Sequence, residues 1–136
     1  MSKKQILKQY FGYTAFREGQ ESLIDHTLQG DDVLGIMPTG AGKSICFQVP
    51  AMLFDGITIV VSPLMKDQVQ SLTANGIPAA YINSTLNVNQ TYKAIENARN
   101  GKYKIIYAAP ERLDVDEFVS FAGSANISMV TVDEAH

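Results

Sequence analysis

An α/β fold, with a parallel sheet held between helical layers, is what this 136-residue chain predicts. Three observations carry it. Short apolar runs recur along the chain with helical patterns between them, and parallel strands need crossovers of that kind. A glycine-rich turn, Met37-Pro38-Thr39-Gly40-Ala41-Gly42-Lys43-Ser44, lies between an apolar run and a helix start. The last apolar run ends on two acids, Asp133-Glu134, at the end of a strand where open parallel sheets bind their ligands.

The elements follow in order. Residues 4–11 and 18–28 read as helices, the second stopped by Gly30. Residues 33–37, Val-Leu-Gly-Ile-Met, form an apolar run read as a buried strand. A helix over 44–54 follows the glycine-rich turn, and the continuous apolar run at 57–61 is the next strand. Residues 66–75 are helical and end at Gly76; 79–82 is a weaker strand. A helix over 87–100 stops at Gly101, 104–108 is a strand, 114–121 a helix and 128–132 the last strand. The chain contains no internal repeat or low-complexity segment.

Composition fits a domain with a real core. The chain is 46% hydrophobic, and no apolar run approaches membrane-spanning length, so no membrane partner is expected. Met1-Ser2-Lys3-Lys4-Gln5 leads into an amphipathic stretch and does not read as a secretory signal. Cys46 stands alone, which excludes an internal disulfide and a cysteine zinc site. The expected location is cytoplasmic, nucleoid-associated in a bacterium. The formal net charge is −3, so any nucleic-acid contact must come from local sites rather than overall charge.

The turn at 37–44 has the chemistry of a phosphate-binding loop. Glycines at 40 and 42 let successive backbone N–H groups face an anion, and the helix after them adds the partial positive charge of its N-terminus. Pro38, Thr39, Gly40, Ala41 and Gly42 would cradle the phosphates, Lys43 would reach the β- and γ-phosphates, and the Ser44 hydroxyl would ligate Mg²⁺. Met37 stands where the strict pattern has glycine. At the other end of the chain, one carboxylate is needed for the metal and a second for the attacking water. Asp133 and Glu134 can divide those roles, metal and base respectively. The two motifs together point to ATP hydrolysis.

On these residues the chain resembles the N-terminal part of RecQ-family DNA helicases, superfamily 2 motors of the Asp-Glu-Ala-His (DEAH) type, along essentially its whole length. The resemblance implies a RecA-like P-loop NTPase domain over 31–136 and a helical adenine-recognition segment over 1–30. Tyr10-Phe11-Gly12-Tyr13 with Phe16-Arg17-Glu18-Gly19-Gln20 is similar to the family's adenine motif. Gln20 would offer a donor and an acceptor to one edge of the base, and Tyr13 or Arg17 would stack on it.

Three segments resemble motifs that touch single-stranded DNA: Ser62-Pro63-Leu64 with Met65-Lys66-Asp67-Gln68, then Asn83-Ser84-Thr85, then Ala109-Pro110-Glu111-Arg112. Each follows a predicted strand, so each should sit where parallel strands end. Hydroxyls, amides and cations at Ser62, Lys66, Gln68, Asn83, Ser84 and Arg112, on turns shaped by Pro63, Pro110 and Glu111, would follow a phosphate backbone without reading bases. The structural alternative is ordinary turn chemistry, with Arg112 paired to Glu111 or another acid. His136 would link the γ-phosphate side to the DNA-coupling elements, whereas His26 reads as a helix-surface residue.

The family has about three more residues between Ser-Pro-Leu and Met-Lys-Asp-Gln than stand here between Leu64 and Met65. It also continues beyond Asp-Glu-Ala-His into a second motor lobe with an arginine finger. The resemblance therefore implies a first motor domain truncated after its DEAH strand, a 3′-to-5′ DNA helicase fragment inactive alone, using ATP and Mg²⁺ on single-stranded and duplex DNA. A central strand would be absent, leaving strands 33–37 and 128–132 either facing a gap open to self-association or closed directly on each other. The competing classes are a non-catalytic nucleotide-responsive module that docks DNA or a partner, and a different phosphate-loop enzyme such as a small kinase.

Overall fold

The computed structural model describes residues 1–35, 42–63, 66–113 and 116–133. They form two compact units, Met1–Phe54 and Asp55–His136.

The first unit is helical. Helix α1, Lys3–Phe11, begins with a reciprocal cap: the Ser2 hydroxyl accepts the Gln5 N–H at 3.2 Å, and the Gln5 side chain accepts the Ser2 N–H at 2.7 Å. Helix α2 spans Gln20–Leu28 and α3 spans Ile45–Leu53. Their apolar faces meet in one cluster, with Ile6 and Leu7 of α1, Ile24 of α2, and Ile45 and Val49 of α3. Lys3 joins the first two helices by ion pairs to Glu21 at 2.9 Å and Asp25 at 2.5 Å. Pro50 lies inside α3 and removes the N–H that would bond the carbonyl one turn back.

The second unit is a parallel sheet with helices on both faces. Strands β1 (Ile57–Val61), β2 (Ala79–Ile82), β3 (Ile105–Ala108) and β4 (Ile127–Val132) lie in the order β2-β3-β1-β4, every pair parallel. The strands β1 and β3 are central and almost wholly buried, so their sequences are continuous apolar runs rather than alternating ones. One face of the sheet, Ile59, Val61, Ile82, Ile106 and Ala108, packs on Ile95 and Ala98 of α5 (Val88–Arg99) and on Phe118 and Phe121 of α6 (Asp116–Ser124). Side chains alternate along a strand, so Tyr107 of β3 points to the other face, where it meets α4 (Lys66–Ala74) through Gln68.

Both rims of the sheet are well defined. At the amino rim the Gly56 N–H donates to Ser128 Oγ at 2.7 Å and the Gly56 carbonyl accepts from Lys104 Nζ at 3.3 Å. At the carboxyl rim Val61 is level with both Ala108 and Val132, and Ile82 is level with Ala108. The ladder runs one step further: Ser62 N–H donates to Ala108 O, Ala109 N–H to Ile82 O, and Asp133 N–H to Val61 O.

Of the strand expected over 33–37, the described part, Val33–Gly35, is not a strand. Val33, Leu34 and Gly35 have no regular structure, and Leu34 is 83% exposed. An apolar run becomes a strand only when a neighbour completes its hydrogen-bond ladder, and no ladder is formed by these residues. Ile36 and Met37 lie outside the described residues, as do Leu64, Met65 and the expected start of the helix at Asp114. Helix α6 runs on to Ser124, past the expected end at 121. The strand expected at 128–132 is present and starts one residue earlier. It is an edge strand among the described residues, with Val130 and Val132 each 61% exposed.

Candidate nucleotide and nucleic-acid sites

In the first unit the residues of interest converge on one buried amide. Gln20 opens α2 and is 3% exposed. Its Oε1 accepts the Arg17 N–H at 2.8 Å, and its Nε2 donates to the Gly42 carbonyl at 2.9 Å. An amide has two acceptor sites and two donors, so one of each is not used among the described residues. Gly42 has φ +75°, and a Cβ there would lie 2.6 Å from Gln20 Nε2. Glycine is thus required twice, by backbone conformation and by the approach of the amide.

Tyr13 is 51% exposed and Arg17 is exposed, while Lys43 and Ser44 are half-buried. Ser44 caps α3, and its hydroxyl makes no capping bond. A serine in that position normally spends its oxygen on the first turn. Ser44 itself has helical backbone angles, φ −63° and ψ −30°, at the helix N-terminus, where the dipole favours anions. Pro38, Thr39, Gly40 and Ala41 lie outside the described residues. Two features on α3 went unforeseen in the sequence: Gln48 is buried, and burial pushes the Cys46 thiol pKa up.

In the second unit the carboxyl rim gathers the other segments. Ser62 is buried and Pro63 exposed after β1; Asn83 is half-buried and Ser84 exposed after β2. Asn83 Oδ1 accepts the Thr85 N–H at 3.0 Å and the Thr85 hydroxyl at 2.5 Å, which fixes that turn. Pro110, Glu111 and Arg112 form a single 3₁₀ turn after β3, a feature the sequence did not suggest. Arg112 is half-buried and forms no ion pair among the described residues, so the expected alternative of pairing with Glu111 is not realised. Asp133, after β4, is buried. Glu134 and His136 lie outside the described residues.

On helix α4, Val69 and Leu72 are buried, Lys66 and Asp67 are exposed, and Gln68 sits at the boundary. Gln68 Oε1 accepts the hydroxyl of Tyr107 at 2.5 Å. Tyr107 is fully buried and was not singled out from the sequence.

A family model for DEAD/DEAH box helicases matches residues 17–136. The chain belongs to the DEAD/DEAH box helicase family. This helicase chain is 42% identical over 134 residues to the ATP-dependent DNA helicase RecQ of Haemophilus influenzae, covering 96% of itself and 22% of that protein. It is 45% identical over 137 residues to the protein of the same name in Bacillus subtilis, covering 98% of itself and 23% of the relative. The chain thus spans under a quarter of the length of these curated relatives. Among solved structures, a hypothetical ATP-dependent RNA helicase from Sulfolobus tokodaii superposes with a TM-score of 0.64 at 17% identity, over 96% of this chain and 49% of that one. That likeness establishes the RecA-like α/β fold of this helicase chain.

Membership of the DEAD/DEAH box helicases implies ATP binding. The residues fit an accompanying Mg²⁺. Asp133 is a carboxylate at a strand end, an oxygen donor of the kind Mg²⁺ takes. No group of three or more acids, histidines or cysteines could form a metal cage among the described residues. Mg²⁺ in nucleotide sites does not need one, because phosphates and water supply most of its ligands. No helix among the described residues is long and apolar enough to cross a membrane.

Proposed function

We propose that the chain is the nucleotide-binding part of the first motor lobe of a RecQ-type, ATP-dependent 3′-to-5′ DNA helicase. The observation that carries this reading is the 42–45% identity to RecQ DNA helicases over nearly the whole chain. Residues 1–30 serve adenine recognition, with Gln20 on the edge of the base and Tyr13 or Arg17 on its face. Residues 38–44 hold the phosphates, with Lys43 on the β- and γ-phosphates. Ser44 and Asp133 would hold Mg²⁺, which when bound shields phosphate charge and fixes its orientation. Glu134 orients and deprotonates the attacking water, and His136 couples that event to the DNA side.

The carboxyl rim of the sheet follows the backbone of single-stranded DNA. Ser62, Pro63, Lys66, Gln68, Asn83, Ser84, Pro110, Glu111 and Arg112 stand on it or directly after it. Their hydroxyls, amides and cations suit phosphates, and nothing in their chemistry selects a base. Turnover and unwinding draw on the remaining length of the relatives, a second RecA-like lobe with an arginine finger included. Such an arginine is worth roughly 10³–10⁵ in rate in phosphoryl transfer.

The test is nucleotide titration of the purified chain by calorimetry, followed by ATPase assays with and without single-stranded DNA. ATP binding should fall about tenfold or more in Lys43→Ala, which deletes a charge-assisted contact. The chain alone should show negligible DNA-stimulated hydrolysis. Equal ATP affinity in wild type and Lys43→Ala would sink the site assignment. Robust stimulated hydrolysis abolished by Glu134→Gln would show that no second lobe is needed.

A further inference from the structure

We propose that Tyr107 is a positioning residue for nucleic-acid binding: from inside the core its hydroxyl takes up Gln68 Oε1 and so commits the amide's N–H donors to a phosphodiester oxygen. This rests on the reading that the carboxyl rim follows a DNA backbone. The proposal starts from an otherwise costly choice of residue. Tyr107 is fully buried in a central strand, between β2 and β1. Phenylalanine would fill nearly the same volume without a hydroxyl that needs a partner. The partner is Gln68, 39 residues away on α4 and half-exposed, at 2.5 Å.

The chemistry of the pair is asymmetric. With Oε1 occupied by the tyrosine hydroxyl, both N–H donors remain on Nε2, and none of them is used among the described residues. A phosphodiester presents only acceptors. An amide held by its oxygen is therefore oriented for a phosphate before binding, and the ordering cost is met in the free protein. Tyr107 is level with Val60 and Tyr81, one step before the carboxyl rim, so the amide it holds lies near the end of the strands that lead into residues assigned to the backbone path. A Gln68 that merely satisfied a buried hydroxyl would have no such link to ligand affinity.

The experiment is fluorescence anisotropy of the whole chain with a labelled oligothymidylate, alongside thermal melting of each variant. Gln68→Ala and Tyr107→Phe should each lower affinity about tenfold, the loss of one hydrogen bond to a charged group. The double variant should be no weaker than either single one, because both remove the same contact. Gln68→Met with Tyr107→Phe replaces the polar pair by apolar groups of similar shape, which protects folding, and it should show the same tenfold loss. Additive losses, or wild-type affinity in Tyr107→Phe while Gln68→Ala is weakened, would overturn the positioning role and leave the rim reading intact. Wild-type affinity in Gln68→Ala while Arg112→Ala is weakened would confine Gln68 to satisfying Tyr107, and overturn it too. Failure of the unaltered chain to bind the oligonucleotide would overturn the rim reading and this inference with it.

Discussion

The side chain of Gln20 donates to the carbonyl of Gly42 at 2.9 Å, across 22 residues of sequence. The start of α2 is thereby tied to the glycine just before α3. Under the proposed function, base recognition and phosphate binding would share this hydrogen bond.

Gln20→Ala should therefore weaken binding of a ligand that has no base at all. The substitution removes the bonds that the Gln20 amide makes to the Arg17 N–H and to the Gly42 carbonyl, which keeps its bond from the Ile45 N–H; each such bond is worth about 0.5–1.5 kcal/mol. Calorimetry with ATP, GTP and tripolyphosphate is the check. Affinity for tripolyphosphate should fall severalfold, and the preference for ATP over GTP should relax. A variant that loses base preference with tripolyphosphate affinity unchanged would show that the Gly42 bond has no part in holding the loop. Gly42→Ala should damage both, since its Cβ would press on the same amide in a left-handed backbone conformation.

Gly56→Ala should be among the most destabilising small substitutions in the second unit. A Cβ there would lie 2.3 Å from the Asn126 carbonyl and 2.4 Å from Ser128 Oγ. The first of these is backbone and cannot swing away, so β4 must shift against β1 at the amino rim. Overpacking of this kind costs about 1–3 kcal/mol. Urea unfolding should register that loss; a midpoint equal to that of the unaltered protein would mean that the rim is looser than its geometry indicates.

Cys46 should alkylate slowly. Burial raises the thiol pKa, and only the thiolate reacts. The rate with iodoacetamide should keep climbing at pH values where an ordinary thiol, with a pKa of about 8.5, has levelled off. Stability shifts in the matching direction. As pH rises through the unfolded value, the unfolded chain releases its proton first, so the native state loses ground. A rate profile like that of a free cysteine peptide would contradict the burial.

The outer edge of β4 should drive self-association. Its sequence, Ile-Ser-Met-Val-Thr-Val, has no charge, proline or glycine to discourage pairing, and two of its valines are exposed. Val130→Lys should shift sedimentation of the concentrated chain toward monomer. An unchanged distribution, or a monomeric unaltered chain, would remove this edge as the contact.

Much of the architecture could be read from the residues. Runs such as Ile57–Val61 and Ile105–Ala108 are apolar throughout because both faces of the sheet are covered, and that pattern is visible without a structure. The gathering of Ser62, Asn83, Ala109 and Asp133 on one rim also follows from parallel strands alone. Val33–Gly35 misled, because an apolar run looks the same whether or not a neighbour completes its ladder. The bonds Gln20 to Gly42 and Tyr107 to Gln68 had no signal in the sequence. They join residues 22 and 39 positions apart, and only the packing of helices decides which polar tips meet.

The order β2-β3-β1-β4 also governs how the protein comes into being. The first of the described strands to be made, β1, is central, and its partners at Ile105–Ala108 and Ile127–Val132 are made much later. No local hairpin can shelter it, because every pairing in the sheet is parallel. During synthesis the run Ile57–Val61 leaves the ribosome as a bare greasy segment that must wait for most of the remaining chain. Non-local pairings of this kind fold slowly. The nascent protein is thus a natural client for chaperones that bind short extended apolar peptides.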